Sequence, residues 1–246
     1  MKMFNKISKP SLSILLMLFV IFYFSSCNPS SKVEEASVEE ESINNEESDE
    51  HSHEAEGADH IEESEGQLTW VAPASVDNIF SRDFHIGAGI ADDLKAEIRT
   101  DADGDNMMVL NPTGNTAAFF FHSKYGNAGG EATFKLEDYN GDLKFVYHFK
   151  DESNYEFVSI KENTMELGRI VDGNKKVLDS KDYQLDTSQW NTLRFSAAGE
   201  HFKGYLNDEM ITHGHDEEME PGFVGIMLNG TGIVLIKSIS VIALEE

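Results

Sequence analysis

From residue 67 onward the chain is written in short apolar and polar alternations closed by turn dipeptides, and that pattern restricts it to an antiparallel β fold. In residues 142–150, Leu143, Phe145, Tyr147 and Phe149 point one way while Lys144, Val146, His148 and Lys150 point the other. The spacing predicts further strands over 117–122, 130–137, 154–162, 164–171, 175–179, 190–197, 201–206, 208–213, 222–228 and 231–243. Asp103-Gly104, Asn140-Gly141, Asp172-Gly173, Pro221-Gly222 and Asn229-Gly230 punctuate them as turns. Helical character is confined to about residues 89–97, and neither a βαβ rhythm nor an internal repeat is visible. The expected fold is an all-β sandwich or barrel.

Cys27 is the only cysteine, so no intramolecular disulfide can staple this fold. The roughly 180 residues after Gly66 can build a core without one, since a chain of that size buries about 70% of its unfolded surface. One domain, over 67–246, is the natural count. Ahead of the cysteine stand a basic start (Lys2, Lys6, Lys9), an apolar stretch from about Leu12 to Phe24, and Ser25 and Ser26. These are the parts of an export signal over residues 1–26, and the apolar stretch falls short of the roughly 20 residues that a membrane helix needs. Ser25, Ser26 and Cys27 resemble the lipobox of bacterial lipoproteins, although Phe24 stands where that box usually has Leu. The resemblance implies a lipid on Cys27 and, with Lys32, Val33, Glu34 and Glu35 following, the surface export signal of Bacteroidota lipoproteins. The expected location is the cell envelope, anchored to the outer membrane and surface-exposed.

Residues 28–66 hold fifteen Asp and Glu against one Lys and have few large apolar side chains, so they are expected to form a disordered acidic spacer. The rest of the chain is acidic too, and the formal charge of the whole is −26. Polyanions are repelled along its length, which argues against nucleic acid as a partner.

Four stretches resemble concanavalin A-like (laminin G-like) jelly rolls. Phe149, Lys150, Asp151, Glu152, Ser153, Asn154, Tyr155, Glu156, Phe157 and Val158 are similar to a turn followed by Asn-Tyr-x-Phe-Val. Trp190, Asn191, Thr192, Leu193, Arg194 and Phe195 resemble a strand opening, and His201, Phe202, Lys203, Gly204, Tyr205, Leu206 and Asn207 the next strand and turn. Pro221, Gly222, Phe223, Val224, Gly225 and Ile226 match the usual Gly-x-Val-Gly-Leu. The resemblance covers about residues 130–243, and Trp190 and Phe202 read as core bulk. The resemblance implies two curved sheets, the concave face of which binds or hydrolyses glycans in many relatives, though fold alone does not fix function.

Glycosidic hydrolysis needs two carboxylates flanking the bond. The Glu-x-Asp-x-Glu run of laminarinase-like members is missing, as is the Asn-Ser-Gly-Ile/Val stretch of 3-keto-disaccharide hydrolases. No Gly-x-Ser-x-Gly elbow occurs either. For a sugar, Tyr147, His148, Tyr155, Glu156 and Arg169 offer an aromatic to stack and polar groups around it. For Ca²⁺, Asp101, Asp103 and Asp105 place three carboxylates at alternate positions of a tight loop, although the Gly and Glu positions of an EF-hand are not met. His213 and His215, two apart on a strand with Asp216 beside them, share a face and can meet one metal ion. His51, His53 and His60 lie among acidic residues of the spacer and make a looser metal-binding set. The expected function is carbohydrate binding without catalysis by a membrane-tethered lipoprotein, with a divergent glycoside hydrolase or lyase as the first alternative and a structural or protein-binding module as the second.

Overall fold

The computed structural model describes residues 60–245. Residues 1–26, where an export signal is expected, and Cys27, His51 and His53 lie outside the described residues. Among the described residues fourteen strands follow in chain order: β1 (Ile61–Ser64), β2 (Gln67–Val71), β3 (His85–Ala88), β4 (Glu97–Thr100), β5 (Asn106–Leu110), β6 (Ala117–Tyr125), β7 (Ala128–Asp151), β8 (Asn154–Lys161), β9 (Thr164–Val171), β10 (Asn174–Asp182), β11 (Asn191–Ala198), β12 (His201–Leu206), β13 (Glu209–His215) and β14 (Gly222–Ala243). All of their pairings are antiparallel.

Two of these strands run through both layers of the sandwich. β7 and β14 pair from Phe223 opposite Phe149 to Ala243 opposite Ala128. Midway, Gly230 lies opposite Gly141, and the ladder slips between Thr231 and Ile233. The backbones press together here: a Cβ on Gly230 would fall 2.5 Å from the Asn140 carbonyl oxygen and from the Gly141 Cα. Asn140-Gly141 and Asn229-Gly230 are therefore not the hairpin turns expected from their sequence. They face each other at the crossing from one layer to the next, where only glycine tolerates so close an approach.

On one side of this crossing, layer one is built from β13, β12, β11, the first half of β7 and the second half of β14, with β2 and β5 sharing the far edge of β14. On the other, layer two runs β10, β9, β8, the second half of β7, the first half of β14, β6 and β3. The inward faces meet in one core. Tyr147 of layer two stacks on Phe195 of layer one at 4.3 Å, and Phe145 meets the same ring edge-on at 4.9 Å. Trp70, Phe84, Phe119 and Phe134 complete the aromatic centre. Fully burying one such side chain contributes about 1.5–3 kcal/mol, and truncating it to Ala costs about 3–5 kcal/mol. This core stands in for the missing disulfide.

Several expectations change in detail. Ile61–Ser64 is an edge strand paired with β2, so the domain starts inside the stretch read as spacer. Glu65 and Gly66, both at positive φ, close that hairpin as a two-residue turn, as Asp172 and Gly173 close β9 to β10. His60 is anchored as well: its Nε2 lies 3.0 Å from Asp83, which also accepts from Trp70 Nε1 at 3.0 Å and Arg82 Nε at 2.7 Å. Burial favours the neutral carboxyl at Asp83, but the bonds from Arg82 and Trp70 outweigh it and hold the group below the usual carboxylate range. The helix expected near 89–97 is only a 3-10 turn at Ala91–Asp93, while the α-helical turn α1 is Ile79–Arg82. Trp190 is not in the core between the layers. It is half-buried on the outside of layer one against Met107, Val109 and Leu235.

Candidate functional site

Four of the five residues expected to bind sugar come together, but inside the protein. The β7–β8 ladder runs through Tyr147 opposite Glu156 and resumes at Asp151 opposite Asn154, and in the gap His148 adopts φ 50°. This bulge breaks the alternation, so His148 turns inward beside Tyr147 instead of away from it. Its Nδ1 contacts the Glu156 carboxylate, and its Nε2 lies 2.7 Å from the Gly126 carbonyl oxygen. Both nitrogens face oxygens, and toward an ionised Glu156 the ring donates from both as the doubly protonated imidazolium. Burial alone would lower its pKa, but the bond and charge of Glu156 and the Gly126 carbonyl raise it.

Arg169 closes the other side of Glu156, donates to the Glu217 carbonyl oxygen at 2.6 Å, and reaches Asp216 at 3.0 Å. Lys176 meets Asp216 at 2.9 Å. Charges therefore alternate in a chain: His148, Glu156, Arg169, Asp216, Lys176. Burial and the nearby Glu156 push the Tyr147 phenol up, so it stays a neutral hydroxyl, and its oxygen has no hydrogen-bond partner among the described residues. With Tyr147, His148, Glu156 and Arg169 between 0% and 5% exposed, a sugar cannot reach them. They are an internal ion network, which corrects the expectation.

Tyr155 has the opposite orientation. It belongs to an apolar cluster on the outer face of layer two with Ala118, Phe120, Val146, Phe149, Phe157 and Met227, against which Phe223 and Ile170 pack. Strand alternation places this face: Val146 and Lys144 of β7, Phe157 of β8 and Phe223 of β14 are the residues that do not point to the core. Phe120 and Phe149 stack at 4.1 Å. Toward β3 and β6 the face becomes accessible. His85 lies edge-on to Phe223 at 4.5 Å and stacks on exposed His122 at 5.5 Å, and Lys124 Nζ sits 5.0 Å from the Phe223 ring. Burial, with the neighbouring His122, holds the His85 ring below its ordinary pKa, which favours the neutral imidazole.

At the other end of the face Lys144 and Lys175 both lie over the Phe157 ring, at 5.5 and 5.6 Å. Each also holds a carboxylate: Lys144 pairs with Asp142 at 2.8 Å, and Lys175 pairs with Glu166. Sequence reasoning missed His85, His122 and Phe223 as a group. The alternation of Phe120 with His122 and of Phe223 with Met227 was the available signal, but it does not say that β6 and β14 are neighbours.

The aspartate loop already holds a cation. Asp101 Oδ1 accepts the backbone N–H groups of Asp103 and Asp105, at 3.0 and 2.9 Å. Lys237 Nζ then lies 3.1 Å from Asp101 Oδ2 and 2.9 Å from Asp105 Oδ2, with the Trp190 ring 5.0 Å away. The Ca²⁺ expectation is corrected accordingly: an ammonium group occupies the place between two of the three carboxylates. His213 and His215 do share a face, as alternation requires, and the structure adds His201 to them from the neighbouring strand.

No protein-family model matches the sequence, and no curated protein matches it. Solved structures do match its fold. The chain resembles the carbohydrate binding module CBM66 from Bacillus subtilis, with a TM-score of 0.51 and 15% identity over 63% of this chain and 94% of that one. A protein of unknown function from Shewanella oneidensis MR-1 gives 0.52 at 10% identity, over 71% and 84%. A galectin-like protein of unknown function from Bacillus subtilis gives 0.50 at 10%, over 65% and 89%. At these identities the likeness is one of fold, and the fold of this chain is the antiparallel jelly-roll sandwich of those proteins.

Proposed function

We propose that the domain binds carbohydrate without catalysis, on the outer face of layer two. The observation that carries this reading is the patch of His85, His122 and Phe223, where a half-buried aromatic ring is flanked by imidazoles and Lys124. A sugar needs that combination: an apolar ring face to stack on, and donors and acceptors around it for the hydroxyls. The likeness in fold to a carbohydrate binding module supports it. Hydrolysis is disfavoured because Asp142 and Glu166, two carboxylates of this face, are each engaged by a lysine.

A lipid on Cys27 would hold this face outside the cell envelope, a part of the reading that rests on the apolar run from Leu12 to Phe24 and on Ser25, Ser26 and Cys27. The decisive experiment is a glycan array probed with the detergent-solubilised full chain beside its Phe223→Ala variant. Retention on a defined glycan by the parent and not by the variant is expected. Binding to no glycan would overturn the proposal, and release of reducing ends would replace it with a hydrolase.

A further inference from the structure

We propose that His201, His213 and His215 form a three-imidazole site for a borderline divalent transition-metal ion of the Zn²⁺ class, with its fourth position open to water or an incoming ligand. The three residues come from β12 and β13, and the ladder sets His201 directly opposite His215. His213 precedes His215 by two positions and projects to the same side. The intervening residues explain why all three point outward: Phe202, Thr212 and Gly214 are buried. One nitrogen from each ring lies within 4.8 Å of the other two. The ring centroids are 4.5 Å apart for His201 and His215, 4.6 Å for His213 and His215, and 6.3 Å for His201 and His213.

A tetrahedral ion with Zn–N bonds of about 2.0–2.1 Å needs its nitrogens roughly 3.4 Å apart. Closing that gap takes a modest turn of three exposed side chains. The backbone beneath is firmer. The His213 N–H donates to Asp179 Oδ2 at 3.1 Å, and a Cβ on Gly214 would come within 2.7 Å of the Leu178 side chain, so β13 is clasped against β10. Ligands on rigid strands lose less entropy on binding than ligands on a loop.

The donor set selects the ion. Three neutral imidazoles suit Zn²⁺, Ni²⁺, Cu²⁺ or Co²⁺ and give Ca²⁺ and Mg²⁺ none of the oxygen ligands they require. Three protein ligands leave a four-coordinate ion one free position, as open zinc sites do. The net acidic domain around it favours a dication further. The bound ion would also clip the sheet edge, joining β13 to β12.

Isothermal titration of Zn²⁺ into the full chain, prepared without an affinity tag, tests the site. The site predicts an ion bound by the parent, with binding weakened at least about tenfold (about 1.4 kcal/mol) by each of His201→Ala, His213→Ala and His215→Ala. A His51→Ala/His53→Ala variant should retain it, and Zn²⁺ should raise the melting temperature of the parent and of that variant alone. Absence of binding overturns the proposal, as does binding that survives His201→Ala unchanged or disappears in His51→Ala/His53→Ala. Circular dichroism establishes that each exposed-strand variant is folded before it is titrated.

Discussion

Lys237 Nζ sits between Asp101 Oδ2 at 3.1 Å and Asp105 Oδ2 at 2.9 Å, an internal cation in a loop otherwise composed like a calcium site. Asp101 is held below the usual carboxylate range by the backbone N–H of Asp105 and by Lys237, so the loop is charge-compensated without an ion. Added Ca²⁺ is expected to leave the melting temperature of the parent unchanged. In Lys237→Met the two carboxylates lose their partner, and Ca²⁺ should then raise the melting temperature by binding the folded form alone. A calcium-dependent shift in the parent would show that the lysine yields to the ion.

His148 gives stability a pH dependence with a definite sign. Its folded pKa is raised by Glu156 and the Gly126 carbonyl above the unfolded value of about 6.5. A raised value means that the folded state holds the proton more tightly, so the contribution is complete below pH of about 6.5 and is lost as pH rises through the folded pKa. Urea midpoints measured from pH 6 to about 9 should therefore fall for the parent and stay flatter for His148→Gln. Equal slopes in the two proteins would assign the pH dependence elsewhere.

Glu156 is the anion that His148 and Arg169 share, and it is fully buried. Removing it leaves two cationic groups facing each other in the interior. Glu156→Ala is expected to lose about 3–5 kcal/mol, the usual result of breaking a buried pair from one side. Replacing the whole network with apolar side chains would cost less, so a triple His148→Leu/Glu156→Leu/Arg169→Met variant should be more stable than Glu156→Ala in chemical denaturation.

Over β12 and most of β9, buried residues alternate with more exposed ones, and the sequence pattern gave boundaries within a residue. β8 is buried on both faces from Tyr155 to Ile160, and it was legible through its polar ends, Asn154 and Lys161, and its resemblance to Asn-Tyr-x-Phe-Val. β5 carries no such mark: Met107, Met108, Val109 and Leu110 are all buried, two against the sandwich core and two beneath Trp190, so no period shows. The site was less legible than the fold. His148 was assigned to the wrong face because a bulge reverses the alternation there, and His201 was passed over because only the β12–β13 register brings it to His215. Lys237 is 136 positions from Asp101, and nothing local to either residue announces the pair.

The glycine pair at the layer crossing can be tested without touching any site. A Cβ on Gly230 would meet the Asn140 carbonyl and the Gly141 Cα at 2.5 Å, both of them backbone atoms that cannot rotate away. Gly230→Ala is expected to lose about 1–3 kcal/mol through overpacking. Gly126→Ala, where the nearest atom is 3.6 Å from the added Cβ, should stay near the parent value. Comparable losses at both positions in urea denaturation would mean that the crossing is not uniquely tight.

Phe223 and Phe120 share one aromatic face and separate binding from stability. Phe120 is fully buried, stacked on Phe149, and packs around the backbone of Gly87. Phe223 is half-buried, with one edge against His85 and Lys124 over its ring. Phe120→Ala is therefore a core truncation, expected to cost about 3–5 kcal/mol, while Phe223→Ala removes a ring that keeps part of its surface accessible and should cost less than that. For a glycan retained by the parent, Phe223→Ala should weaken binding about tenfold or more, the loss of an aromatic contact worth about 1.4 kcal/mol. Affinity electrophoresis on that glycan, read beside the melting temperatures of both variants, makes the comparison. A Phe223→Ala variant that melts like the parent and still binds like it would move the ligand site away from this face.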